Sequence, residues 1–228
     1  MSPLIVPNQS TVVLTGGPNT SMTYLARTTD GVLAIDLGWS ANDQPLARAL
    51  GTLGASAADV RWVFLTHSHR DHVGAWPMLR HARIYVAAAE ESLLVAAKPH
   101  DGWIPRTMDR INPAQLPSAG ELTVSTFSQD TTIVVGADTL RAYLVPGHTP
   151  GSVVYLFRGI LFLGDAVTST VSGGFAPARR GFSSDPEGAA KALAELWPRL
   201  PPGVARYACT AHARCAAYTA AFLEDVAR

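Results

Sequence analysis

The sequence predicts an α/β protein, folded as a single domain over residues 1–228. Runs rich in Val, Leu, Thr and Tyr gather early in each half of the chain, and each half closes in helix-forming segments. Hydrophobic residues are 47% of the 228, enough to bury a sizeable core. Two facing sheets covered by outer helices are consistent with that order, and so are other α/β layouts.

Residues 11–16, 22–27 and 32–36 read as an antiparallel meander broken by Gly16-Gly17-Pro18-Asn19 and by Asp30-Gly31. Ser40 can cap a helix from about Asn42 to Leu53, with Leu46, Leu50 and Leu53 on one face and Gly54 as its stop. The apolar run Trp62-Val63-Phe64-Leu65 belongs to a short buried strand at 61–65. A short helix from Trp76 to Arg80, a strand from Arg83 to Val86 and helix-forming residues 88–97 follow. From Lys98 to Gly120, Pro and Gly recur and apolar periodicity is lost, as expected of a lid or binding loop.

Strands are predicted near 122–126, 131–135 and 139–145, the last two joined as a hairpin through Gly136-Ala137. Residues 152–157 and 160–164 make another hairpin, through Arg158-Gly159. Residues 166–186 read as a second irregular loop. A helix from Glu187 to about Trp197, a strand at 204–208 and a helix over 214–227 complete the chain.

Charge narrows the partners. Lys+Arg and Asp+Glu are 18 each, a balance that argues against nucleic-acid or membrane-surface binding and for a small-molecule substrate. No apolar run reaches the roughly 18 residues of a membrane span. Residues Met1 to Pro7 show neither a basic n-region nor an apolar h-region. Cys209 and Cys215 fit reduced thiols better than a disulfide scaffold. The expected location is cytoplasmic.

The stretch Thr66-His67-Ser68-His69-Arg70-Asp71-His72 carries the chemistry. His67 and His69, two apart, point the same way from extended backbone. Asp71 and His72 come as the chain turns, so four potential ligands diverge from one strand end, which suits two adjacent metal ions better than one. With His only 7 of 228 residues, the pattern arises by chance in roughly one such chain in several thousand. The plainer reading, a polar turn with solvated histidines, fits poorly with its place after a buried strand.

His-x-His-x-Asp-His resembles the signature of the metallo-β-lactamase superfamily. Pro146-Gly147-His148-Thr149-Pro150-Gly151 looks like the family's second histidine motif, and Leu161-Phe162-Leu163-Gly164-Asp165 like its strand-borne bridging aspartate. His212 sits where the last ligand is expected. The resemblance implies a four-layer αββα sandwich. It also implies two divalent metal ions, zinc first, with iron or manganese as alternatives that ligand type does not separate. His67, His69 and His148 would hold one metal, Asp71, His72 and His212 the other, and Asp165 would bridge them. Asp71, beyond ligation, is the candidate to accept or relay a proton. Glycine usually flanks the family's last histidine, whereas Ala211 and Ala213 flank His212; alanine tolerates positive φ poorly, so this loop is expected to differ.

The implied activity is hydrolysis of a small activated acyl bond (lactone, thioester or related ester), because the Pro-Gly-His-Thr-Pro-Gly stretch looks like hydroxyacylglutathione hydrolases and quorum-sensing lactonases. Zinc lowers the pKa of bound water to about 7, so a hydroxide nucleophile needs no side-chain base. The alternatives are a β-lactamase-type amide hydrolase, an iron-dependent oxidoreductase like the persulfide dioxygenases, and a non-catalytic binding protein on the same fold.

Specificity is expected in residues 98–118 and 166–186. Trp103, Phe175 and Phe182 are candidates for the pocket wall, with self-packing of loop aromatics as the plainer reading. Arg179 and Arg180 could receive a carboxylate or phosphate, the plainer reading being a solvated pair. His100 divides evenly between surface histidine and substrate contact. His81 reads as a solvated helix-end residue, Asp36 as an organiser of the turn after its strand, and Cys209 as a buried strand residue.

Overall fold

Two six-stranded sheets sort the apolar residues of this chain into three layers. The structure, a computed structural model, describes residues 11–15, 21–39, 43–111, 116–170, 172–213 and 215–227. The first sheet holds β1 (Thr11–Thr15), β2 (Met22–Arg27), β3 (Val32–Ile35), β4 (Val60–Phe64), β5 (Arg83–Ala87) and β6 (Thr123–Phe127), side by side in that order. β1 to β3 form the antiparallel meander, and β3 to β6 run parallel.

β7 (Thr131–Val135), β8 (Asp138–Leu144), β9 (Val153–Phe157) and β10 (Ile160–Gly164) begin the second sheet as two antiparallel hairpins joined edge to edge. β11 (Val167–Ser169) and β12 (Phe175–Pro177) pair apart as a small ribbon. β13 (Tyr207–Thr210) then joins β10 in parallel, and β14 (Cys215–Ala217) closes the edge. The helices are α1 (Asp43–Thr52), α2 (Arg70–Val73), α3 (Glu91–Leu94), α4 (Trp103–Ile111), α5 (Pro186–Leu196) and α6 (Ala220–Val226).

Period-two alternation builds the layers. Along β3, Val32 and Ala34 face Leu46 and Leu50 of α1, while Leu33 and Ile35 face the second sheet. Along β9, Val153, Tyr155 and Phe157 point to the first sheet, and Val154 and Leu156 pack with Leu193, Leu196 and Phe222 of α5 and α6. β9 and β10 are buried on both faces, so they read in sequence as near-continuous apolar runs. Phe64, Tyr155, Phe157 and Phe162 are fully buried in the middle layer, each contributing roughly 1.5–3 kcal/mol. Helix, sheet, sheet, helix is the αββα sandwich expected from the resemblance.

Five expectations need correction. The stretch from Lys98 to Gly120 is not all loop: α4 fills Trp103–Ile111, with Gly102 at φ 85° just before it. Its Pro and Gly residues flank or open a short helix rather than preventing one. Residues 166–186 contain the β11–β12 ribbon. The strand expected at 204–208 lies at Tyr207–Thr210. The last helix does not begin at 214; Cys215–Ala217 instead turns back as β14, and α6 starts at Ala220 behind the Thr219 cap. Directly opposed Cys209 and Cys215 form a disulfide across this pair, which overturns the expectation of reduced thiols. Ser40, the expected cap of α1, lies outside the described residues. No helix among the described residues is long and apolar enough to cross a membrane.

Candidate metal centre

The site begins with a carboxylate at the end of β3. Asp36 sits at φ 54°, a left-handed conformation that aspartate adopts more readily than most residues. Its Oδ1 accepts from the Thr66 N–H at 2.7 Å, and its Oδ2 accepts from the Thr66 hydroxyl at 2.8 Å. The same Oδ2 lies 2.8 Å from His72 Nδ1. With Nδ1–H donated to Asp36, His72 turns Nε2 inward. Tyr155 donates to the Leu65 carbonyl at 2.8 Å and Tyr24 to the Thr210 carbonyl at 2.7 Å, fixing the backbone ahead of His67 and His212. Burial raises both phenols above their ordinary range, so they remain donors.

Seven side chains meet at this sheet edge. His67 Nε2 lies 3.0 Å from His69 Nδ1, which lies 3.1 Å from His148 Nε2. A tetrahedral ion with metal–nitrogen bonds of about 2.05 Å needs ligand atoms ~3.3 Å apart, close to this spacing. On the other side, His212 Nε2 is 3.2 Å from Asp71 Oδ2 and 3.1 Å from Asp165 Oδ1. His72 Nε2 is 3.6 Å from each of those oxygens. Asp165 divides itself between the sets: Oδ2 is 3.6 Å from His148 Nε2, while Oδ1 faces His72 and His212.

These donors fit a metal pair on two counts. First, His72 Nε2 and Asp165 Oδ1 are buried with no hydrogen-bond partner. His212 Nε2 stands 3.1 Å from Asp165 Oδ1 as an ion-pair partner, and these inward-facing atoms sit where a cation would bind. Second, the protonation states suit ligation. Burial holds His67 and His69 well below the ordinary histidine range, and neighbouring imidazoles push the same way. Burial also lowers His148, outweighing the pull of Asp165. Neutral imidazole is the ligand form.

The second set behaves differently without metal. Burial opposes a charge on His72, but Asp36 and Asp71 outweigh it and raise the group to about 9. For His212, Asp165 and Asp71 outweigh burial and raise it to about 11. Burial would raise the two carboxyls; His72 and His212 nevertheless hold Asp71 low, and His212 leads in holding Asp165 below the usual range. Protons on His72 and His212 occupy the place a second cation would take.

Two glycines allow the approach. Gly147 stands at φ 133°, and a Cβ there would meet the Ala189 backbone at 2.2 Å, so α5 can seat against the loop that presents His148. A Cβ on Gly164 (φ 52°) would lie 2.6 Å from Thr66 Cβ. His212 needs no such help: Ala211 and Ala213 are not among the positive-φ residues, and the loop still brings the imidazole to Asp71 and Asp165. The expected penalty of alanine here does not arise.

A cavity of about 440 Å³ opens beside the seven donors. Trp39, Ile104, Pro105, Met108 and Phe182 give it an apolar wall, and Arg179, Thr168, Arg70 and His100 line it with His69, Asp71, Asp165 and His212. Of the loop residues singled out in the sequence, Phe182 and Arg179 line this cavity. Trp103 is not: it is 73% exposed and outside the lining. Phe175 is buried on the far face of the second sheet, its ring 5.0 Å from Phe222.

Sequence reasoning missed the network behind the first three histidines. Buried Glu90 accepts from the Ser68 N–H at 2.9 Å, from the Ser68 hydroxyl, and from the Gly151 N–H at 2.8 Å. It thereby ties the two histidine loops together. Ser68 Oγ lies 3.1 Å from Nε2 of His100, which is buried, and His100 Nδ1 lies 3.0 Å from Asp109 on α4. Arg70 Nε donates to the same aspartate at 3.0 Å. Burial would raise the Asp109 carboxyl, but its bonds to His100 and the Arg70 charge hold it at about 2. No local signal marks Glu90: it stands in an ordinary Glu90-Glu91 pair after Ala87-Ala88-Ala89, and its partners lie 22 and 61 residues away in sequence.

An αββα sandwich with five histidines and two aspartates gathered at one edge defines a protein with a candidate metal-binding site. The family model described as the metallo-beta-lactamase superfamily matches residues 16–212, and the chain belongs to that superfamily. It is 31% identical over 119 residues to a hydroxyacylglutathione hydrolase of Anaeromyxobacter dehalogenans, covering 52% of this chain and 37% of that protein. It is 27% identical over 144 residues to a probable polyketide biosynthesis zinc-dependent hydrolase of Bacillus velezensis, covering 62% and 52%. The matches span about half or less of those curated relatives. Among solved structures, the BLEG-1 B3 metallo-beta-lactamase superposes with TM-score 0.68 at 20% identity, covering 90% of this chain and 92% of that one.

Proposed function

We propose that the protein is a dinuclear metal hydrolase that cleaves a small activated acyl bond, a thioester or a lactone. The reading rests above all on Asp165, whose two oxygens face different histidine sets. His67, His69 and His148 would hold one divalent metal, and Asp71, His72 and His212 the other. When bound, such ions supply Lewis acidity and an acidified water. Zinc is the proposed metal, supported by the imidazole-rich donor set and by the zinc-dependent name of one relative.

The chain's own residues do the rest. Asp36 orients His72. Ser183 Oγ, 3.2 Å from His148 Nδ1, orients that ring. Asp71 stays ionised at the cavity wall, where it can accept a proton from the attacking water. The apolar wall displaces bulk water from the acyl group. A cavity of about 440 Å³ suits a small molecule, and the even charge balance supports neither a nucleic-acid nor a membrane partner.

The test is turnover by zinc-loaded protein of a panel comprising a thioester, a lactone, a β-lactam and a persulfide. Thioester or lactone hydrolysis that His67→Ala abolishes is the expected result. Turnover of only the β-lactam, or only the persulfide after iron loading, would overturn it. Cytoplasmic location belongs to the same proposal and is tested by cell fractionation; recovery of the protein with the exported fraction would contradict it.

A further inference from the structure

We propose that Arg179, steadied by Thr168, is an anion subsite in the cavity wall, and that preferred substrates carry a carboxylate at the far end of the acyl group. This rests on the hydrolase reading above and narrows its substrate class.

Arg179 and Arg180 are neighbours of equal charge, but the fold gives them different surroundings. Arg180 reaches Glu187 at 3.3 Å, and both side chains stand in solvent. Arg179 lines the cavity, where its Nε donates to Thr168 Oγ1 at 3.1 Å. That bond uses the inner nitrogen and steadies the guanidinium plane. The two terminal amino groups remain, and they match the paired oxygens of a carboxylate. Among the described residues no acidic side chain makes an ion pair with Arg179, unlike Arg70, Arg158 and Arg199.

The other charges around the cavity are already committed. Arg70 is buried against Asp109. Asp109 also holds His100. Asp71 and Asp165 face the histidines. Apart from the metal site, Arg179 is therefore the lining cation left to meet a ligand. Ile104, Pro105, Met108 and Phe182 make much of the remaining wall apolar. A short acyl chain with one charged end matches that lining.

The position of Arg179 is also coupled to the site. Its carbonyl accepts from the Ser183 hydroxyl at 2.8 Å and from the Phe182 N–H at 3.1 Å. Ser183 Oγ is in turn 3.2 Å from His148 Nδ1, and the Ser184 N–H donates to the His148 carbonyl at 3.0 Å. One short turn therefore carries the cation and braces a proposed metal ligand.

A bidentate guanidinium–carboxylate pair in such a wall is expected to change affinity about tenfold or more. The experiment compares three thioesters on zinc-loaded protein: glutaryl and hexanoyl thioesters of uncharged N-acetylcysteamine, and the hexanoyl thioester of phosphopantetheine. The proposal predicts that glutaryl exceeds hexanoyl in kcat/KM by about tenfold, chiefly through KM. Arg179→Ala should bring that ratio within threefold, and Arg179→Lys should retain part of it. A ratio near one in the wild type, or one that Arg179→Ala leaves intact, overturns the proposal. So does an Arg179-dependent preference for the phosphopantetheine thioester alone, which would place the anion on the leaving group.

Calorimetric binding of glutarate and hexanoate to the same zinc-loaded proteins separates this from the hydrolase reading. If neither these thioesters nor the lactone of the panel is turned over, the hydrolase reading fails. Glutarate affinity that falls about tenfold in Arg179→Ala, with hexanoate affinity steady, still supports the subsite. Equal glutarate affinity in both proteins removes it.

Discussion

At the scale of single residues, orientation distinguishes the ligands from ordinary polar groups. Asp36 shows how: it bonds Thr66 twice and sets the tautomer of His72 without facing the cavity. Asp36→Asn removes the charge while keeping a residue that tolerates the left-handed backbone. It is predicted to weaken the second metal about 10- to 100-fold and to leave the first in place. Competition against a chelating dye reads both affinities, and unchanged second-site affinity would refute the role. The seven donors were legible because imidazole and carboxylate at that spacing are rare. Asp36 was read only as a turn residue, since a strand-ending aspartate is common and its partner lies 30 residues away. Glu90 and Asp109 were invisible for the same reason: each acts through contacts that only folding creates.

At the scale of elements, the loop of His212 is the least conventional part of the site. Strands β13 and β14 bracket it, and the Cys209–Cys215 disulfide closes its base. Reduction, or Cys215→Ser, should therefore free His212 from its bracing and weaken the second metal more than the first. Metal content after matched dialysis of the oxidised and reduced protein checks this; equal retention would mean that strand pairing alone suffices. Neither β14 nor the disulfide was legible. A cysteine followed by two alanines reads equally well as helix, and only pairing with β13 selects the strand. The helix α4 was missed because Pro105 and the preceding Gly102 read as loop, while Ile104 and Met108 line the cavity rather than the core and Trp103 and Ile111 are exposed. The buried hairpin β9–β10, by contrast, was plain, since both faces are covered and its turn residues Arg158 and Gly159 both sit at positive φ.

At the scale of the whole molecule, two sheets bring the ends of β3, β4, β8, β10 and β13 to one edge, where burial and charge compete. That competition makes stability depend on pH in the metal-free protein. His72 and His212, raised to about 9 and about 11, stabilise fully below the unfolded value near 6.5. Their contribution is lost as pH rises through those folded values. Asp71 and Asp165, both lowered, stabilise above about 3.9, and their contribution is lost as pH falls through their depressed values. Chelator-treated protein should thus show a urea midpoint that falls between pH 6.5 and pH 11. Zinc-loaded protein should lose less, because the metal replaces those protons, and loading should release protons into a weak buffer. Parallel curves for the two forms would contradict this account.

The central claim is that seven donors form two adjoining sites with Asp165 between them, and metal content per chain tests it most directly. Elemental analysis after reconstitution and dialysis should find close to two divalent ions in the wild type. His212→Ala should keep about one, because His67, His69 and His148 remain together. His148→Ala should keep less, because it dismantles the three-histidine set. No metal after reconstitution with zinc, iron and manganese would contradict the claim outright, and greater loss from His212→Ala than from His148→Ala would contradict the division of the sites.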